Sequence, residues 1–203
     1  DVRLRMWTPK GSTIRFVRQV APAIDDLTPT RVDVDALTGE YPTGAWASEE
    51  SRDYHVCVDV PPGSVGDEKL AARVSVVVGD DVAGQALVRA VWTDDETLAT
   101  RLNAHVAHYT GQAELADAIQ AGLEARKRGD EAGATLKLGR AVQLAHEAGN
   151  EGTVRLLKAV VDVDDPATGT VRLKRNVQAL DEMALDTRST RTVRVTAKKA
   201  PTS

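Results

Sequence analysis

Two small groups of residues in this sequence have types and spacing that could do chemistry. His105 and His108 stand three apart with Glu114 close behind, and on a helix such a set offers three zinc ligands. The helical metalloprotease pattern instead puts its histidines four apart with a glutamate between them, and this stretch meets neither condition. His55 and Cys57 share one face of a strand, as a base and a thiol nucleophile would, but no third group orients them. The acidic runs Asp33-Val34-Asp35 and Asp162 to Asp165 have a faint look of calcium loops. In them Leu37 and Pro166 occupy the place of the third oxygen ligand, and Gly39 and Gly169 are misplaced, so the carboxylates read as turn and capping groups. Neither a glycine-rich phosphate loop nor a Gly-x-Ser-x-Gly elbow occurs. The sequence therefore assigns no catalytic, cofactor-binding or metal-ligating residue and no cofactor, and the protein is expected not to be an enzyme. The rival reading is a small metal-dependent hydrolase using the His105/His108 pair, or Cys57.

The elements that position these residues fall into two halves. Up to about residue 95 the chain alternates with period two between turn residues. Strands are expected over Asp1 to Thr8, Thr13 to Val20 with Ile14 and Phe16 inward, a short piece near Arg31 to Val34, and Tyr54 to Val60. Lys69 to Val78 follows, and Gly79-Asp80-Asp81 turns into a last strand from Val82 to Thr93. The remainder of Ala21 to Ser51, with Pro22, Pro29, Gly39, Pro42 and Gly44, reads as loop. Strands so spaced, with polar alternates, indicate two packed sheets, a β-sandwich over residues 1–109.

Asp94 to Tyr109 admits two readings. Thr93-Asp94-Asp95-Glu96 is a capping box opening a helix, or Asp94-Asp95 turns a hairpin into Thr97 to Leu102; the hairpin is slightly favoured. From Gln112 the period lengthens. Leu115, Ala118, Ile119 and Leu123 share a helical face, Gly129 and Asp130 end that helix and cap the next, and Ala134, Leu138, Ala141, Val142 and Ala145 form its apolar stripe. Gly149-Asn150 repeats the device before a third helix with Val154, Leu157, Val160 and Val161 inward. A loop at Pro166 to Gly169 and a fourth helix through Leu173, Val177, Leu180 and Ala184 complete a small antiparallel bundle over residues 110–186, with a hairpin of tetratricopeptide type. The fold class is thus α+β. Residues 187–203 form a basic tail in which Thr192 to Thr196 alternates like a returning edge strand before fraying.

Composition narrows the function classes. With 203 residues, 42% hydrophobic, 28% charged and a net charge of −4, the chain is neither disordered nor collagenous. No apolar run approaches the roughly 18 residues of a membrane helix, so no membrane partner is expected. The single cysteine excludes a disulfide framework and suits a reducing, cytoplasmic setting. An acidic chain with one Phe, three Tyr and three Trp is a poor nucleic-acid binder despite its basic tail. Arg188 and Arg191 among Thr187, Ser189, Thr190 and Thr192 would suit a basophilic kinase, because a phosphate there would sit among guanidinium groups. The chain opens on Asp1 without a signal peptide and reads as an excised piece of something longer.

Three stretches carry a family resemblance: Ala90-Val91-Trp92-Thr93-Asp94-Asp95, His108-Tyr109-Thr110-Gly111-Gln112-Ala113-Glu114-Leu115-Ala116 running on to Gly129-Asp130, and Leu185-Asp186-Thr187-Arg188-Ser189-Thr190. Together they resemble the region downstream of the metal-binding domain in bacterial, particularly actinobacterial, von Willebrand factor type A domain proteins. In that family the type A domain is a doubly wound α/β module that binds a divalent cation through Asp-x-Ser-x-Ser and recognises partner proteins. No such module is present here, and Asp186 to Thr190 has Arg188 and Thr190 where the serines are needed, so no ligands carry over. The resemblance implies a non-catalytic interaction and scaffolding region, with protein partners and a cis contact to an upstream type A domain. Relatives are often associated with kinases and phosphothreonine-binding modules, which makes a kinase-addressed segment in the Thr/Ser/Arg tail a further alternative.

Overall fold

The computed structural model describes residues 1–101 and 103–192, and the chain divides into two compact units. The first comprises Asp1–Val20 and Asp25–Asn103, the second Ala21–Ile24 and the chain from Ala104 onward. Among the described residues eight strands precede the first α-helix and two more stand between the fourth and the fifth, an α+β arrangement with antiparallel sheets.

The first unit is built around β1 (Val2–Trp7), which pairs antiparallel with β5 (Thr38–Gly44) on one side and β7 (Glu68–Val78) on the other. Beyond β5 lies the short β4 (Val32–Asp33), and beyond β7 lies β8 (Asp81–Val91), so the sheet order is β4-β5-β1-β7-β8. A three-stranded sheet has the order β3-β2-β6, from β2 (Thr13–Ala21), β3 (Asp25–Asp26) and β6 (Asp53–Asp59). Register explains the alternation. Leu4 stands opposite Tyr41 and Val76, and Met6 opposite Val74, and these side chains join Val17, Leu27, Ile14, Tyr54 and Val56 in one apolar cluster drawn from both sheets. The intervening residues Arg3, Arg5 and Trp7 point the other way, because successive side chains on a strand alternate faces.

Three expectations for this half need correction. Phe16 is not in the apolar cluster; Val17 is, while Phe16 rests edge-on against His55 with Arg18 over its ring. The segment containing Pro42 and Gly44 is a strand rather than loop. β4 pairs with β5 only at Gly39 and Glu40, so the missing N–H of Pro42 falls beyond that short neighbour, where a proline is tolerated. Thr97 to Ala99, expected in the second arm of a hairpin ending at Leu102, which lies outside the described residues, is instead helical: Asp95 accepts from the N–H groups of Thr97 and Leu98 and caps the short helix α1 (Glu96–Ala99).

In the second unit α2 (Ala104–Lys127) is followed by α3 (Glu131–Glu147) and α4 (Glu151–Val160). The two junctions are as expected. Gly129 and Gly149 take left-handed conformations, and the side chains of Asp130 and Asn150 accept from the N–H groups of Gly133 and Thr153 as N-caps. Leu115, Ala118, Ile119 and Leu123 face Leu138, Ala141, Val142 and Ala145 in a second apolar cluster, completed by Leu157, Val160, Val161, Val171 and Leu185.

The helical reading fails after Val160. Val161 opens β9 (Val161–Asp165), which pairs antiparallel with β10 (Thr170–Leu173), so a β-hairpin stands where a helix end and loop were expected. Asp165 closes its turn by accepting from the Ala167 N–H and the Thr168 hydroxyl. The last helix, α5 (Ala179–Thr190), therefore starts later than expected. Leu173 lies in β10, Val177 precedes the helix, Leu180 and Ala184 are exposed, and Leu185 is the buried anchor. Residues 187–190, expected in a tail, are helical. Arg191 then bridges Ala23 in antiparallel fashion, with Ile24 N–H donating to Thr190 O and Thr192 N–H to Pro22 O. The expected strand from Thr192 to Thr196 and the frayed end lie outside the described residues beyond Thr192.

The hairpin sits on α3 through two glycines. A Cβ on Gly139 would meet the carbonyl oxygen of Gly169, and a Cβ on Gly169, whose φ is +69°, would meet that of Gly139. Backbone carbonyls cannot swing aside as side-chain ends do, so Gly139→Ala is expected to lower unfolding free energy by about 2 kcal/mol or more. In contrast, Gly152→Ala meets only ordinary contact at Asn150, 3.7 Å away, and is expected to be neutral or slightly stabilising through helix propensity. Urea titration of the two variants checks the pair; equal stabilities would contradict the packing described.

Candidate interaction surfaces

The ionisable residues singled out by spacing do not converge. His105 and His108 lie on the exposed first turns of α2, and His108 Nε2 is 2.8 Å from Gln112 Nε2. Glu114, the nearest candidate third ligand, is held by Arg140 of α3 at 2.6 Å. Among the described residues no set of three or more His, Cys, Asp or Glu side chains is placed to hold a metal ion. His55 and Cys57 do share a face of β6, and the ring of His55 packs edge-on against Phe16, 5.1 Å between centroids. Burial holds the His55 pKa below its ordinary 6.5, with the positive charge of Arg18 acting in the same direction. The ring is thus neutral at pH 7 and packed as a hydrophobic body.

The acidic loops are occupied with their own turns. Asp33 pairs with Arg31 at 2.7 Å, and Asp35 accepts from the Leu37 N–H, which lowers its pKa. Asp164 pairs with Arg172 at 2.8 Å, and the Thr168 hydroxyl and Ala167 N–H lower the pKa of Asp165. In α5, Ser189 is only 8% exposed and its hydroxyl donates to Asp186 O. A kinase could not reach that hydroxyl in the folded helix.

What the structure does gather is surface. On the outer face of the five-stranded sheet, residues directly opposite each other across β1 form pairs, as cross-strand neighbours do. Arg5 meets Glu40 at 2.6 Å, and Arg73 lies over the ring of Trp7, 5.3 Å from its centroid. Arg5, Trp7 and Arg73, with Ser75, Gln85, Val34 and Val82, line an open cleft of about 360 Å³. A separate aromatic clamp forms where Trp46 stacks on Tyr54 and Arg52 covers Trp46 at 4.9 Å. Sequence reasoning missed both clusters. The only signal for the first is the two-residue spacing of Arg3, Arg5 and Trp7, which becomes legible once β1 is known to have partners on both sides.

β8 is exposed along nearly its whole length, including Val82 (53%), Leu87 (51%) and Val91 (62%). Its end continues into a shallow apolar cleft of about 680 Å³ lined by Val65, Val91, Trp92 and Leu98. In the second unit, α4 and the α3–α4 turn border a cleft of about 490 Å³, where Val154 lies among His146, Arg155, Lys158 and Glu151. The junction of α2 and α5 is tied by Arg126, which donates to Glu182 Oε1 and to Lys174 O, both at 2.9 Å. No helix among the described residues is long and apolar enough to cross a membrane.

Residues 143–189, from the last turns of α3 to the end of α5, match the von Willebrand factor type A C-terminal domain. Among solved structures, the chain is similar to "von Willebrand factor type A from Catenulispora acidiphila", with 55% identity over 96% of its own length and a TM-score of 0.85. It spans 46% of that relative, an actinobacterial protein. No curated protein matches the chain.

The packing of His55 has a pH consequence. Because its pKa is lower in the folded state than the ordinary 6.5, the stability gained from keeping the ring neutral is complete above pH 6.5. It is lost as pH falls from 6.5 through the folded-state midpoint. An NMR titration is expected to place the His55 midpoint below 6.5, and His55→Gln to remove that part of the acid sensitivity. A midpoint at or above 6.5 would contradict the packing.

Proposed function

The chain belongs to the von Willebrand factor type A proteins through its C-terminal-domain segment, and on that premise we propose that it is a non-catalytic interaction and scaffolding region. It works by presenting surfaces to protein partners, among them a type A domain in the same polypeptide. The observation that carries this reading is a contrast. Ionisable side chains are dispersed in surface pairs and turn caps, whereas apolar side chains remain exposed together along β8 and its neighbouring cleft. Large exposed apolar patches on a folded domain mark contact sites, and open sheet edges accept extended chains.

Within this reading the two sheets of the first unit act as a β-sandwich, since one apolar cluster takes side chains from both. The α2–α3 pair acts as a tetratricopeptide-like hairpin. Its close approach is supported at Gly122, where a Cβ would stand 2.7 Å from Leu138 Cγ. The domain division we adopt is a sheet domain followed by a helical region, in a protein of the reducing cytoplasm where Cys57 stays free.

The hydrolase alternative is tested on the purified protein by metal analysis, a hydrolysis assay, and replacement of His108. The interaction reading expects well under one equivalent of zinc, no hydrolysis, and for His108→Ala a stability change within about 0.5 kcal/mol, as for other exposed positions. Stoichiometric zinc that is lost in His108→Ala would refute it.

A further inference from the structure

β8 stands last in the order β4-β5-β1-β7-β8, so among the described residues one of its edges has no strand beside it. A long open edge is a liability that proteins blunt with charge, proline or a covering element. Val82 to Val88 has neither charge nor proline: the run is Val-Ala-Gly-Gln-Ala-Leu-Val. The inner face is equally unfinished. The apolar row Tyr41, Leu4, Val76 continues in register onto Gly84, where an added Cβ would meet nothing within 4 Å, and the row Met6, Val74 continues onto exposed Ala86. The apolar layer thus runs past the small sheet and ends in open space.

We propose that β8 is the acceptor edge for an added strand, supplied in cis by an extended, apolar-alternating segment of the longer polypeptide that the solved relative exemplifies. Two observations select a cis strand. More than half of that relative lies outside the stretch this chain matches, so the family's polypeptide has length to contribute. Asp1 stands at the β7–β8 turn, its carbonyl accepting from the Gly79 N–H at 3.2 Å, so chain joined there lies at the head of β8. Backbone hydrogen bonds along β8 would supply affinity, and side chains over Gly84, Ala86 and Val88 would close the inner face. This rests on the interaction reading and names the surface it uses.

The test is hydrogen exchange at those amides between Val82 and Val91 that point away from β7, toward the open edge, compared between the 203-residue chain and the full gene product that contains it. Exchange is expected to be about 100-fold or more slower in the full product, as for a strand gaining a partner. Gly84→Lys, which has room in the 203-residue chain, is expected to leave that chain's Tm unchanged and to restore fast exchange in the full product. Equal, fast exchange in both wild-type proteins would overturn the proposal. So would protection already present in the 203-residue chain, whether it rises with concentration, which would assign the edge to a second copy, or disappears on deleting residues 193–203, which would assign it to the tail. None of these outcomes touches the zinc and His108 measurements, so the acceptor edge and the interaction reading fail separately.

Discussion

The two-residue period of β1, paired on both sides, is the constraint from which the first unit follows. One parity, Leu4 and Met6, meets Tyr41, Val74 and Val76 and forms the apolar layer. The other, Arg3, Arg5 and Trp7, meets Glu40 and Arg73 and forms a polar outer face. A slip of one residue would exchange the two sets, placing guanidinium groups in the core at a cost far above the few kcal/mol by which domains are stable. The same register that fixes the core also extends it beyond its cover, because the rows run on to Gly84 and Ala86 of β8.

The second unit rests on a different economy of space. Small residues let backbones approach: Gly122 admits Leu138, and Gly139 admits the turn at Gly169. The β9–β10 hairpin is thereby laid against α3, where Val171 joins the helical cluster. The segment that matches the von Willebrand factor type A C-terminal domain begins within α3 and ends at α5, so its packing partner α2 lies outside the matched residues while sharing their core. Charged groups tie its elements together, as Arg126 does with Glu182 and Lys174.

What could be read beforehand was local. Gly129-Asp130 and Gly149-Asn150 announce helix ends because a positive-φ cap and an N-cap carboxylate or amide act within a few residues. β1, β6, β7 and β8 were legible from alternation alone. What stayed hidden depends on neighbours. Pro42 is admissible in β5 only because β4 is short, and Val161 continues the spacing of α4 while belonging to a strand that needs β10 opposite it. Leu173, Val177 and Leu180 kept helical spacing across a strand, a loop and a helix start. The exposed flank of β8 was not visible in the sequence. Alternation tells which residues share a face, and says nothing of whether anything covers it.

The central claim is that this region acts by offering an unfinished sheet to the rest of its polypeptide. Determining the structure of the full gene product addresses it most directly. The account predicts a strand hydrogen-bonded to β8 between Val82 and Val91, with its side chains over Gly84 and Ala86. A full-length structure in which β8 still faces solvent would contradict it.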